Sequence, residues 1–327
     1  DDAPVVPATP DIVIPEGAAE GELLIKFVPE MTEILDRTMK TRAAGASTRS
    51  GIPSTDEVLS ILGAYDFERV FPVDSRTEEK SREAGLHLWY LVRFDKNTDL
   101  KEAMERLSGL GEISKLQINP AIQRAYNPKK KPVPVSEAAL NRMRTRAAAD
   151  NGFKFNDALL LHQWGYINRG AYDFATEEAP AIIGSDVNCE EAWELCTGDP
   201  EIIVAVLDEG VMYTHEDLTA NMWVNEKEQV GSDQDNDGNG YKGDRYGYNF
   251  VKDNGNISWQ AAEDTGHGTH VAGTIAAVNG NNKGVCGIAG GDGTKKGVRI
   301  MSCQVFDGDG QVRMVNEARA IKYAADN

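Results

Sequence analysis

Apolar positions in the first third of the chain fall into short runs of two different periods. Glu22–Val28 and Phe67–Val73 are apolar stretches with polar flanks, and Leu86–Phe94 alternates in part; each predicts a strand. Val58, Leu59, Ile61 and Leu62 recur at helical spacing behind Ser54 and Glu57, which stand in capping-box register, so a helix is predicted to open there. Asp99–Leu110 is amphipathic at the helical period and closes near Gly111, and Ile113–Ala125 predicts a last strand and tail. The resulting order is β-α-β-β-α-β, a split β-α-β unit of ferredoxin-like α+β type. Thr38–Gly51, rich in Arg, Ser and Gly, predicts a flexible insertion in it.

From Phe153 the pattern becomes α/β. A helix within Asp186–Thr197 leads to the unbroken apolar run Ile202–Leu207, the kind of strand that a parallel sheet buries on both faces. A small-residue helix begins at His267, Val298–Val305 predicts another strand, and Val312, Val315, Ala318, Ile321 and Ala324 mark a helix face. Strands alternating with helices predict a doubly wound, mostly parallel sheet. Asn327 falls where its next strand is expected, so the pattern predicts a further C-terminal segment, continuous with this chain or held as a separate one. The expected organisation is an extended Pro-rich tether over 1–20, a small domain over 21–126, a linker over 127–152 and the α/β domain from 153 to 327. The linker is basic and proline-rich at Asn127–Pro134. It predicts a short helix over Glu137–Asp150 carrying Arg142, Arg144 and Arg146, and it reads either as a processing region or as an uncut spacer.

Composition narrows the function classes. Hydrophobic residues make up 41% of the 327, enough for a sizeable core, and the formal net charge is −18. That charge argues against a nucleic-acid partner, whose phosphates require Lys and Arg. It fits a solvated acidic surface as well as one that holds cations. No apolar run reaches the roughly 20 residues of a membrane span. The acidic, Pro-rich start at Asp1–Pro10 looks like a segment that follows an export signal or a lipid-bearing cysteine, which predicts an extracellular, cell-surface or periplasmic location. Four cysteines do not make a disulfide framework. Cys189 and Cys196 fall seven residues apart on one predicted helix, and Cys286 and Cys303 sit in apolar surroundings as buried thiols, with a Cys286–Cys303 bond as the alternative.

Two segments carry the chemistry. Ile202–Gly210 places Asp208 at the carboxyl end of a buried strand, where open α/β sheets gather functional groups. Downstream, Gly266 and Gly268 bracket His267 at the start of a helix. A buried carboxylate that accepts the Nδ1 proton of a histidine fixes its tautomer, and the free Nε2 then serves as a general base. Together these segments, with Asp before His, resemble the subtilisin-like serine peptidases, or subtilases. The resemblance implies a serine endopeptidase zymogen that cleaves polypeptides through an acyl-enzyme. Residues 21–126 would then be a propeptide, both folding chaperone and intramolecular inhibitor, whose tail near Asn119–Tyr126 lies in the cleft. In the family pattern the nucleophilic serine and the oxyanion asparagine come after Asn327. Ser302 is mid-strand and lacks the expected context, so this stretch alone is expected to be inactive. Glu209 departs from the family's usual Thr or Ser and is expected to face solvent or the linker. His270 reads as packing, since His-x-x-His lacks the glutamate of a zinc protease. A non-catalytic calcium-binding or inhibitory pseudo-protease is the alternative reading.

Calcium has two sets of candidate ligands. Asp233, Asp235 and Asp237, followed by Gly238 and Asn239, match the first half of an EF-hand loop, although Asp244 stands where its closing glutamate belongs. An acidic surface turn has the same composition. Separately, the resemblance implies a structural calcium site built from Asp157, Asp217 and Asn281, the last within the loop Val278–Gly284; Asp253 is a candidate for a weaker third site.

Overall fold

Two sheets, one antiparallel and one parallel, organise the chain. The computed structural model describes residues 12–41, 48–122, 136–139, 141, 152–170, 180–259, 266–306 and 312–327. The antiparallel sheet contains β1 (Ala18–Phe27), β2 (Asp66–Arg69), β3 (Trp89–Arg93) and β4 (Ile113–Ile122) in the order β2-β3-β1-β4. Helices α1 (Thr32–Thr41) and α2 (Pro53–Ile61) lie between β1 and β2, the short α3 (Glu78–Glu83) precedes β3, and α4 (Leu100–Ser108) joins β3 to β4. β3 therefore sits between β1 and β2, and β1 between β3 and β4, the split β-α-β arrangement. Leu23, Ile25 and Phe27 point from β1 into a core closed by Leu59 and Leu62 from the α2 region and by Ala103 and Leu107 of α4. Leu24 points the other way and packs with Val70, Leu91 and Val315. Both faces of β1 are covered, which is why its sequence reads as an apolar run instead of an alternation.

The parallel sheet has the order β5-β7-β6, from β5 (Ile203–Asp208), β6 (Gly247–Asn249) and β7 (Arg299–Gln304). Helix α5 (Cys189–Leu195) precedes it, and α6 (His267–Ala276) packs Ala272 and Ala276 against Val206 and Ile300. The alternate residues Met301 and Cys303 turn to the other face, where Ala320 and Tyr323 of α7 (Met314–Asp326) cover them. Period-two alternation along β7 thus puts one helix on each face.

A fifth strand, β8 (Val312–Arg313), extends the antiparallel sheet by pairing with the end of β4 in the registers Ala121↔Arg313 and Ile122↔Val312, and leads directly into α7. Arg313 gives α7 no side-chain cap. Asn119, fully buried on β4, supplies it instead: its Oδ1 accepts the Val315 N–H at 3.1 Å, while its Nδ2 donates to Glu22. Arg319 of α7 crosses to the first sheet, donating to the Val70 carbonyl at 2.7 Å and pairing with Glu68 at 3.1 Å. That guanidinium and Arg93 hold the Glu68 carboxyl below its ordinary range despite burial.

Several local expectations are corrected. α2 starts with Pro53 at N1 and no capping box: Ser54 Oγ instead donates to Glu112, and Asp56 accepts from the Ser50 hydroxyl and main chain. β2 ends at Arg69 because Pro72 has no N–H to offer a ladder. Leu86–Leu88 is a 3-10 turn, so β3 begins only at Trp89. α1 runs into the predicted insertion, of which 42–47 lie outside the described residues. β1 begins at Ala18 and so takes the end of the predicted tether. Cys196 lies just past α5 in extended backbone, and all four cysteines are free thiols. β5 is half-buried and, among the described residues, pairs on one side only. Val312 belongs to β8, and the covered face of α7 is Val315, Arg319, Ala320 and Tyr323, leaving Ile321 57% exposed. Arg319 and Tyr323 displace the apolar stripe because their polar ends find buried acceptors. The linker helix falls outside the described residues except for a helical turn at 137–139.

Candidate active site

β5 delivers Asp208 at its carboxyl end, and Gly266, with φ +74°, turns the chain so that α6 begins on His267. The two side chains meet: His267 Nδ1 lies 2.7 Å from Asp208 Oδ2 and 2.9 Å from Oδ1. The Glu209 N–H donates to Asp208 Oδ1 at 2.6 Å and fixes the carboxylate from behind. Asp208 is 15% exposed at its side chain and His267 is 43% exposed, so the pair is anchored on the inside and open on the outside. This arrangement can hold the Nδ1–H tautomer and present Nε2 as a base toward solvent.

Tight packing brings β5 and α6 together. A Cβ on Gly268 would stand 2.3 Å from the Glu209 carbonyl oxygen, so only glycine fits at that crossing. Glu209 itself does not face solvent. It is 1% exposed, and its Oε2 accepts the His267 main-chain N–H at 3.2 Å. The sequence reading missed this because a charged residue ordinarily signals surface. His270 is exposed rather than packed away. With His162, His215, Trp164 and Trp259 it lines a groove of about 650 Å³ along α6. Ser302 is buried in β7, where its Oγ accepts the Val211 N–H.

The candidate calcium ligands separate into two constellations. Asp157 and Asp217, both 2% exposed, converge on the loop after α6. Asp157 Oδ2 accepts the Gly280 N–H at 2.7 Å, and Asp217 accepts from Asn281 Nδ2 at 2.7 Å and from the Val285 N–H at 2.9 Å. Asp157 Oδ1 is buried without a hydrogen-bond partner. Burial, reinforced by Asp157 and Glu216, pushes the Asp217 carboxyl up to about 6. Two buried carboxylates, one with an orphaned oxygen, are the donor chemistry of a hard cation. The Asn281 carboxamide stands with its N–H₂ toward Asp217; turned over, it offers a third oxygen.

In the second constellation, Asp235 and Asp237 come within ligand distance of Glu228, a residue the loop pattern did not include. Its oxygens are heavily supplied with donors. Asp235 accepts the N–H groups of Gly238, Asn239 and Gly240, and Glu228 accepts those of Asn236, Asp237 and Gly243. Asp233 is not in this group, and Asn239 donates to Asp244 Oδ2 while accepting the Tyr241 N–H. Asp244 is buried with Asn225, Asn239 and Tyr323 around it, and burial raises its carboxyl to about 6. Asp253 accepts from the Tyr248 hydroxyl.

Residues 199–327 match the model of the subtilase family. The matched region contains both Asp208 and His267. Subtilisin-like protease 1 of Plasmodium vivax is 34% identical over 194 residues, covering 58% of this chain and 26% of that protein. The halolysin-like extracellular serine protease Nep of Natrialba magadii is 32% identical over 140 residues, covering 43% of this chain and 21% of that protein. Kexin of Saccharomyces cerevisiae is 27% identical over 227 residues, covering 69% and 23%. The chain thus spans about a quarter or less of the length of these relatives.

Within the matched segment, Asp208 and His267 are joined through space although β6 and its connections separate them in sequence. Glu228 was missed because it lies upstream of the acidic run; its place just before Gly231 and the aspartates was the available signal. Asp264 and Thr265, which precede the histidine in the motif, lie outside the described residues.

Proposed function

We propose that the full-length protein is a secreted or surface-tethered serine endopeptidase made as a zymogen. The contact between His267 Nδ1 and the Asp208 carboxylate carries this reading. Asp208 orients and stabilises the imidazole, and His267 takes the proton of a serine supplied from outside residues 1–327 and returns it to the leaving amine. The subtilase match supports the serine-peptidase chemistry, and the extracellular halolysin-like relative supports secretion. No helix among the described residues is long and apolar enough to cross a membrane.

The β1–β4 sheet acts as the inhibitory and chaperone propeptide. In support, its last strand extends through Ile122 onto β8, and Asn119 caps α7. The Asp157–Asp217–Asn281 constellation holds a structural calcium ion, for which the orphaned Asp157 oxygen is the main support. Labelling with a fluorophosphonate probe tests the central reading. Full-length, processed protein should label, and His267→Ala should abolish labelling. A folded, processed product that never labels defeats the enzyme reading and leaves a calcium-binding pseudo-protease.

A further inference from the structure

Glu209 is an anomaly: a carboxylate 1% exposed, placed directly beside the Asp208–His267 pair. It contacts both partners at once. Its main-chain N–H holds Asp208 Oδ1 at 2.6 Å, and its side-chain Oε2 accepts the His267 N–H at 3.2 Å. The helix that His267 opens receives no side-chain hydrogen bond from its N-cap, because that residue is Gly266. Its first turn carries no acidic residue of its own either. Helix starts present unsatisfied N–H groups and a partial positive charge, and a carboxylate satisfies both. Gly268 lets the Glu209 carbonyl press against the same turn, so the residue is gripped at backbone and side chain alike.

We propose that Glu209 is a positioning residue: it caps α6 in trans, fixes the Asp208 carboxylate and the His267 backbone to one another, and adds a second negative charge beside the imidazole. Asp208 and Glu209 at the end of β5 contact His267 directly, and His270 follows one turn along α6. A negative charge held at the His267 main chain acts through space on the ring as well as through the helix start. Glu209 itself touches no reacting atom; it acts through His267.

The experiment is an NMR titration of the His267 imidazole in this chain and in two variants. Glu209→Gln keeps an acceptor oxygen for the helix but removes the charge. Its His267 pKa should fall by about 0.5–1 unit while the His267 amide resonance stays near its original position. Glu209→Ala should lower the pKa similarly and also speed hydrogen exchange at the first turn of α6. An unchanged pKa in a folded Glu209→Gln chain overturns the proposal. If neither variant folds, carbon-detected titration of the Glu209 carboxyl in the unaltered chain decides: an ionised group at neutral pH upholds it, and a protonated one overturns it. The catalytic consequence rests on the peptidase reading above. In full-length enzyme the acid limb of kcat/KM should move down with the imidazole pKa. A moved imidazole in a protein that hydrolyses nothing sinks the peptidase reading and leaves the positioning role standing.

Discussion

Asp208 and Asp217 leave the same strand end a few residues apart and meet opposite surroundings. Asp208 faces an imidazole, which can take up a proton and match its charge. Asp217 faces Asp157, a second buried carboxylate, with amide donors to hold it. One carboxylate is paired with a group that can carry a proton; the other is packed against a like group. The residue type is identical, so the difference lies wholly in what the fold brings opposite.

The largest test of this contrast is kinetic. In the full-length enzyme, Asp208→Asn should lower kcat/KM by about 10⁴-fold, since the wrong tautomer of the histidine is then favoured. Asp217→Asn, assayed below its melting temperature, should leave it within about tenfold. Comparable losses in both would erase the distinction.

Calcium gives the next effect. Free ion at about 100 times its Kd stabilises the folded state by about 2.7 kcal/mol, a rise of several degrees in melting temperature over chelator. Asp217→Asn should remove most of that rise, and Asp235→Asn should spare it, because the Asp235 oxygens already accept three main-chain N–H groups. The reverse pattern would assign the ion to the acidic loop instead.

Acid response is the smallest test. The Asp217 carboxyl titrates near 6 in the folded chain and near 3.8 ordinarily, so the folded state binds its proton more tightly. Without calcium, stability from this group should therefore rise as pH falls from 7 toward 4, by on the order of 1–3 kcal/mol. Asp244 shifts the same way, so the difference between the unaltered chain and Asp217→Asn isolates the effect. Calcium favours the ionised form and should flatten it. A difference curve without slope between pH 4 and 7 in chelator would mean that Asp217 is already balanced.

Much of this was legible in the chain. The run Ile202–Asp208 and the glycines around His267 announce a strand end and a helix start, because those positions depend on local sterics and short-range periodicity. The boundaries of β2, β3 and α2 were not legible, since Pro72, the 3-10 turn at Leu86 and the Glu112 acceptor for Ser54 compete with simple propensity. The face of α7 was misread because Arg319 and Tyr323 are buried through partners on other elements. Glu228 joined Asp235 and Asp237 only through the fold of the loop between them.

The sequence by itself determined the strand that ends in Asp208 and the helix that His267 opens; β6, which completes the parallel sheet, carried no such signal. Backbone sterics and hydrophobic period act over a few residues, so they can be read in one dimension. Only the tertiary structure decided that Glu228 joins Asp235 and Asp237 and that Glu209 turns inward to hold the helix. Those outcomes depend on charge and hydrogen-bond partners that the fold brings together from distant parts of the chain.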